Sequence, residues 1–215
     1  MLESINLTCV RGDRTLFAGL NFSIQPGEFL HLKGHNGSGK TSLLRILSGL
    51  MLQAEGEVRW HGENIRKQRD EFQRELLYLG HLPGIKGDLT ALENLRVNNA
   101  LGGNTVSEDV AWEALGKIGL KGREDLPARV LSQGQQRRVA LSRMLVSKAK
   151  LWILDEPFTA LDVKAVGMLQ NVLEGHITNS GMIILTTHQD FSVSNIDVRL
   201  LQLGLRGLGE GESGV

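Results

Sequence analysis

The chain has 215 residues, with 24 Lys and Arg against 24 Asp and Glu, one cysteine and 26 glycines. That length can bury a core in one domain, or in one domain with an appended lobe. Zero formal net charge argues against binding through a broad basic surface, so no nucleic-acid partner is expected; the lone Cys9 excludes an intramolecular disulfide and any multi-cysteine metal site. The first residues lack the basic and apolar stretches of a signal peptide. Apolar runs such as 151–154 fall far short of the ~18 residues of a membrane span, so the chain reads as soluble and cytoplasmic.

In chain order, residues 2–7 and 20–24 alternate apolar and polar, as half-buried strands do. Residues 29–32 read as a further strand that opens directly into a glycine-rich loop. Leu43, Leu44, Leu47 and Leu50 then recur at helical spacing, with Gly49 placed to end the helix. Residues 57–60 read as a strand followed by a turn, and 76–79 as a short strand. The stretch 89–145 is mostly helical in pattern, broken at Gly102-Gly103 and Gly119. Short buried strands return at 151–154 and 182–185, with an edge strand at 199–203.

Strands alternating with helices imply a mainly parallel sheet covered on both faces. The expected organisation is a single domain over 1–215. Its α/β core spans about 1–84 and 149–203, a helical subdomain spans 85–148, and 204–215 forms a flexible glycine-rich tail.

The glycines, about 12% of the chain against a usual ~7%, are not periodic. Three of them fall in Gly34-His35-Asn36-Gly37-Ser38-Gly39-Lys40-Thr41, which matches the phosphate-loop pattern and stands between a strand and an amphipathic helix. Glycines let successive N–H groups turn inward around a polyphosphate at the positive end of a helix, here through Ser42. Lys40 is expected to reach the β- and γ-phosphates and Thr41 to hold Mg²⁺, with ATP as the nucleotide. Leu151-Trp152-Ile153-Leu154-Asp155-Glu156 adds a buried strand carrying an acidic pair at its carboxyl end. Asp155 suits the Mg²⁺ shell, and Glu156 can polarise the water that attacks the γ-phosphate.

Leu131-Ser132-Gln133-Gly134-Gln135 resembles the signature segment of ATP-binding-cassette (ABC) ATPases, with Gln133 in place of the first glycine of a pair. Thr159-Ala160-Leu161-Asp162 resembles that family's D-loop, and Thr186-Thr187-His188 its switch-histidine segment; all stand in the family's order. The resemblance implies a P-loop NTPase core of the ABC type, with a mainly parallel sheet, an antiparallel β part and an inserted helical subdomain. It further implies two copies packed head to tail around two ATPs. Ser132 and Gly134 of one copy then cap the γ-phosphate held by the other, His188 contacts that phosphate and Asp162 organises the interface. Ser132 reads equally as a plain helix N-cap.

The family's Q-loop glutamine, counted back from Leu89-Thr90-Ala91-Leu92-Glu93-Asn94, falls on His81, whose imidazole can approach Mg²⁺ or its water. The aromatic residue that usually stacks on adenine near Val10 or Arg11 is absent, leaving Arg11 or Phe17 as substitutes. Within the family, the wording at 15–20, 80–86, 131–138 and 151–159 is similar to the haem-exporter ATPases of c-type cytochrome biogenesis. That likeness implies CcmB-like and CcmC-like integral membrane subunits as partners. It places the chain peripherally at the cytoplasmic face of the bacterial inner membrane, with haem met only through those partners. The same motifs serve ABC ATPases of other small-substrate exporters and of soluble assembly systems. A clamp that closes on ATP without hydrolysing it is a further reading, against which Glu156 and His188 argue.

Overall fold

A computed structural model describes residues 1–189 and 196–204. Of the tail expected at 204–215, all but Gly204 lies outside the described residues. Strands β1 (Leu2–Arg11), β2 (Arg14–Ile24), β4 (Glu55–Trp60) and β5 (Glu63–Asn64) form an antiparallel sheet in the order β2-β1-β4-β5. Strands β3 (Phe29–Lys33), β6 (Leu76–Leu79), β7 (Leu151–Asp155), β8 (Met182–Thr186) and β9 (Val198–Gln202) form a parallel sheet in the order β6-β7-β8-β3-β9. This is the α/β P-loop architecture expected from the sequence.

The parallel strands read as continuous apolar runs because both faces of their sheet are covered. Leu30, Leu32, Leu151, Ile153 and Ile184 pack towards helix α1 (Lys40–Leu47) and the antiparallel sheet. The alternate residues Phe29, Trp152, Leu154, Ile183 and Leu185 face a second core. That core also contains buried residues of α3 (Ala91–Leu101), α4 (Glu108–Leu115), α5 (Gln133–Val146) and α6 (Val163–Thr178). Helices α3, α4 and α5 lie between β6 and β7 in the chain; α3 and α5 each start in a reciprocal cap, Thr90 with Glu93 and Ser132 with Gln135.

The structure departs from the sequence reading at several points. Strand β1 continues past residue 7, because a bulge at Asn6 (φ 49°) shifts the register and breaks the alternation that marks a strand. Strand β2 begins at Arg14 rather than 20; its first half is largely exposed and carries no buried pattern. Helix α1 stops at Leu47, so Leu50 lies beyond the Gly49 turn (φ 74°) and is 54% exposed instead of continuing the buried stripe. Helices α2 (Arg69–Arg74) and α6 were not read. The first buries only Phe72, and Gly167 and Gly175 dilute the pattern of the second.

The strand that carries the acidic pair is braced from behind by a stack. Trp152 and His176 lie with ring centroids 3.7 Å apart and planes 5° from parallel, and His176 Nε2 meets the Lys150 carbonyl at 3.2 Å. Burial pushes the His176 imidazole down to about 4. An unfolded chain, with an ordinary imidazole near ~6.5, therefore binds more protons than the folded one between those values. Stability falls as pH drops through that window, by about 1 kcal/mol at pH ~5 once the ring's partial exposure is allowed for. His176→Gln is expected to flatten that acid limb, as read by urea unfolding at pH 5 and 7.5.

Candidate nucleotide site

The site gathers at the carboxyl ends of β3, β7 and β8. From β3 the chain enters the loop 34–39 and then α1, whose first turn has neither a side-chain cap nor an acidic residue. Its N–H groups and positive dipole end are therefore open to an anion. Gly39 sits at φ 100°, and a Cβ there would come within 3.1 Å of Leu16 Cβ and 3.2 Å of Phe17 Cδ1. A Cβ on Gly34 would lie 2.5 Å from Ser38 Oγ and 2.9 Å from the Leu203 carbonyl oxygen. Both positions exclude side chains by close approach as well as by conformation. Lys40 Nζ donates to the carbonyls of Gly34 (2.6 Å) and His35 (3.2 Å), so the loop is wrapped around its own cation.

Asp155, 3% exposed, ends β7 with both carboxylate oxygens engaged. Thr186 Oγ1 donates to Oδ1 at 2.6 Å and Thr41 Oγ1 to Oδ2 at 2.9 Å. The next residue, Glu156, takes a left-handed backbone (φ 51°), uncommon for a residue with a Cβ. Its N–H donates to the Thr186 carbonyl (3.1 Å) and contacts Thr186 Oγ1 (3.2 Å). Glu156 Oε2 accepts from the His188 N–H (3.2 Å), while Oε1 is buried without a hydrogen bond, 3.6 Å from His188 Nε2.

These groups share one cavity of about 580 Å³, a size suited to a nucleotide. Asn36, Gly37, Gly39, Lys40, Thr41 and Ser42 line it together with Asp155, Glu156, His188 and His81. Arg11, Arg14 and Leu16 close the end beside the hairpin of β1 and β2. Phe17, considered as an adenine platform, instead packs beneath Gly39 against the core, whereas Arg11 does reach the cavity. His35 turns its Nδ1 to the Asn36 carbonyl at 2.9 Å.

None of Leu131, Ser132, Gln133, Gly134 and Gln135 lines this cavity. They start α5, where Ser132 Oγ accepts the Gln135 N–H at 3.3 Å and Gln135 Oε1 accepts the Ser132 N–H at 3.0 Å. A Cβ on Gly134 would lie 3.0 Å from the Ala160 carbonyl oxygen, so the start of α5 sits close against the 159–162 turn. Asp162 caps α6 through the Ala165 N–H (2.8 Å) and pairs with Arg138 Nη2 (2.6 Å). That N–H and the guanidinium hold the Asp162 carboxyl below the usual range.

Two site residues carry no role in the sequence reading. In the sequence Thr186 stands only within the 186–188 segment, and Arg137 only within the 131–138 run. The Arg137 guanidinium, 4% exposed, contacts main-chain carbonyls of both Gly80-His81 and Asp155-Glu156. Burial lowers its proton affinity, against the opposing pull of Asp155 and Glu156.

The donor chemistry fits Mg²⁺ at one place. Thr41 Oγ1 and Asp155 Oδ2 set a hydroxyl and a carboxylate together on the cavity wall, an oxygen pair suited to an ion that keeps waters and takes phosphate oxygens. Among the described residues no cluster of three or more His, Cys, Asp or Glu side chains could hold a metal by itself.

Residues 17–159 match the family described as ABC transporter. The chain is 56% identical over 203 residues to the "Cytochrome c biogenesis ATP-binding export protein CcmA" of Nitrosomonas europaea, covering 94% of this chain and 95% of that one. It is 54% identical over 202 residues to the protein of the same name from Nitrosospira multiformis, covering 94% and 98%. Among solved structures it is similar to a dimeric bacterial ABC transporter cassette, with TM-score 0.83 and 25% identity over 94% of both chains. A dimeric ATP-binding cassette in a post-hydrolysis state, bound to ADP and Pi, aligns with TM-score 0.82 and 25% identity, again over 94% of both. The fold, the shared cavity and these likenesses agree, and the chain belongs to the ABC transporter family.

Proposed function

We propose that this chain is the ATP-hydrolysing subunit of a membrane ABC complex that serves c-type cytochrome biogenesis. The observation that carries the catalytic part is the meeting of Lys40, Thr41, Asp155 and Glu156 in one cavity, although loop and acidic pair lie more than a hundred residues apart. The relatives named as cytochrome c biogenesis ATP-binding export proteins support the biological assignment.

On this reading the N–H groups of residues 36–42 and the start of α1 receive the phosphates of ATP. Lys40 exchanges the Gly34 and His35 carbonyls for β- and γ-phosphate oxygens, trading neutral acceptors for charged ones. Thr41 and Asp155 would hold Mg²⁺, which would supply charge neutralisation at the transferring phosphoryl group. Glu156, with its Oε1 free and its main chain fixed by Thr186, takes the proton of the attacking water. His188 stands within 3.6 Å of that carboxylate, placed to contact both it and the γ-phosphate. His81 faces the same cavity; as a nitrogen donor it suits a water around Mg²⁺ better than the ion itself.

The signature residues Leu131 to Gln135 stay outside their own cavity, which supports a head-to-tail pair in which the N-terminus of α5 completes the site of a second copy. The dimeric cassettes among the similar structures support the same pairing. No helix among the described residues is long and apolar enough to cross a membrane. On this reading CcmB-like and CcmC-like partners attach the chain to the cytoplasmic face of the inner membrane and handle the haem, which the names of the relatives support. Mass spectrometry of the detergent-extracted complex tests this: a complex without such membrane subunits removes the haem assignment and leaves the ATPase assignment standing.

Glu156→Gln is expected to lower ATP turnover by about 10²–10⁴-fold while MgATP still binds, since the amide keeps the shape and loses the base. Single-turnover assays with equilibrium nucleotide binding separate the two effects; unchanged turnover removes Glu156 as base. His81→Gln is expected to retain turnover of the parent's order, because the amide restores a neutral polar group at that wall. An inactive but nucleotide-binding His81→Gln protein removes that account of residue 81.

A further inference from the structure

We propose that Arg137 is a positioning residue for hydrolysis, clamping the Gly80-His81 segment to the Asp155-Glu156 segment so that His81 and Glu156 address one cavity in a fixed relation. The proposal rests on Glu156 acting in ATP hydrolysis, as set out above, and adds the means by which the two walls of the site are kept in register.

Three observations carry it. The first is connectivity. Arg137 lies on α5, yet its Nη1 donates to the Gly80 carbonyl at 3.1 Å and approaches the His81 carbonyl at 3.4 Å. Its Nη2 donates to the Asp155 carbonyl at 3.2 Å and the Glu156 carbonyl at 2.7 Å. One planar group thus spans two stretches separated by some seventy residues in the chain. Gly80 and His81 lie beyond the end of β6 and in no helix, so the segment lacks a ladder of its own to hold it.

The second observation is the choice of side chain. The guanidinium is 4% exposed, and the hydrogen bonds described for it go to main-chain oxygens rather than to a carboxylate. A buried cation whose hydrogen bonds go to carbonyls is a poor device for stability, since apolar replacements of buried charges are often neutral or stabilising. What a guanidinium does provide is a rigid fork of donors that can meet several carbonyls at set angles, which an ammonium on a flexible stem cannot do.

The third is strain. Glu156 is left-handed at φ 51°, and its carbonyl is the acceptor of the shortest of the four contacts. Such a conformation persists only where the surroundings over-determine it. Thr186 fixes Glu156 on its N–H side and Arg137 on its carbonyl side. Losing the second constraint lets the carboxylate drift from the position where it meets the attacking water.

The test compares Arg137→Lys and Arg137→Gln with the parent, each as the full chain. Amide hydrogen exchange is measured without nucleotide, and kcat and KM for MgATP in the complex purified with its membrane partners. The clamp predicts faster exchange across residues 80–85 with α1 unchanged, a kcat about tenfold or more lower, and a KM within about twofold. It also predicts partial non-additivity: Arg137→Lys should lower kcat by a smaller factor in a His81→Ala background than in the parent. Parent kcat in both soluble Arg137 variants overturns the proposal. So does exchange rising throughout α1 and β7 in step with lowered stability, which marks a structural role alone, and so does strict additivity with His81→Ala. Unchanged turnover in Glu156→Gln would instead remove the underlying reading of the base, while exchange at 80–85 would still decide whether Arg137 holds the segment.

Discussion

The arrangement depends first on a buried carboxylate whose two oxygens are met by hydroxyls rather than by a cation. Asp155 ends a strand whose residues are all buried, and its two oxygens accept from hydroxyls on different elements, Thr41 at the start of α1 and Thr186 at the end of β8. Removing either hydroxyl would leave a buried charge one partner short, a loss on the order of 1–3 kcal/mol. Geometry therefore runs outward from this carboxylate. It sets how close the phosphate loop's helix stands to the sheet, and it orients the Thr186 hydroxyl against the N–H of Glu156. The left-handed turn that presents Glu156 follows from the same contact. The placement of the glycine-rich loop and that of Glu156 thus both trace to one carboxylate held by two threonines.

The parts of this site that were legible in the sequence are those whose chemistry is local in the chain. The loop 34–41 reveals itself because glycines, lysine and threonine must be consecutive to fold around phosphate. Asp155-Glu156 reveals itself because four apolar residues bury the strand that delivers it. The parallel sheet was legible for the same reason, since strands covered on both faces read as unbroken apolar runs. Residues whose partners are remote were not legible. Nothing near Arg137 in the chain indicates that its guanidinium meets carbonyls 18 to 57 positions away. Thr186 is one threonine of a pair until its contact with Asp155 is seen. Phe17 was considered for adenine because of its place in the chain, yet the need to fill the space under Gly39 draws it inward. Helix α6 escaped because its glycines weaken the local signal, while Leu169, Leu173 and Ile177, all buried, supply the packing that holds it.

Helix α5 joins these regions mechanically. Successive residues on a helix point about 100° apart, so Arg137 and Arg138 leave it in different directions. The first reaches the carbonyls behind Glu156, and the second reaches Asp162 at the head of α6 and the Ile118 carbonyl at 3.4 Å. At the helix start, Gly134 lies so near the Ala160 carbonyl that any side chain would press the two apart. The first turn of α5 is therefore packed directly against the 156–162 stretch. In the head-to-tail pairing proposed for two copies, that first turn meets the nucleotide of the partner, while the 156–162 stretch holds the copy's own hydrolytic acid. A displacement imposed on the signature turn by one nucleotide has a short, stiff route to the acid that serves the other: one helical turn, two guanidinium groups and a glycine with no room to yield. Communication between the paired sites then needs no long-range relay, because the residues that receive one phosphate and those that act on the other are packed against each other within a single chain.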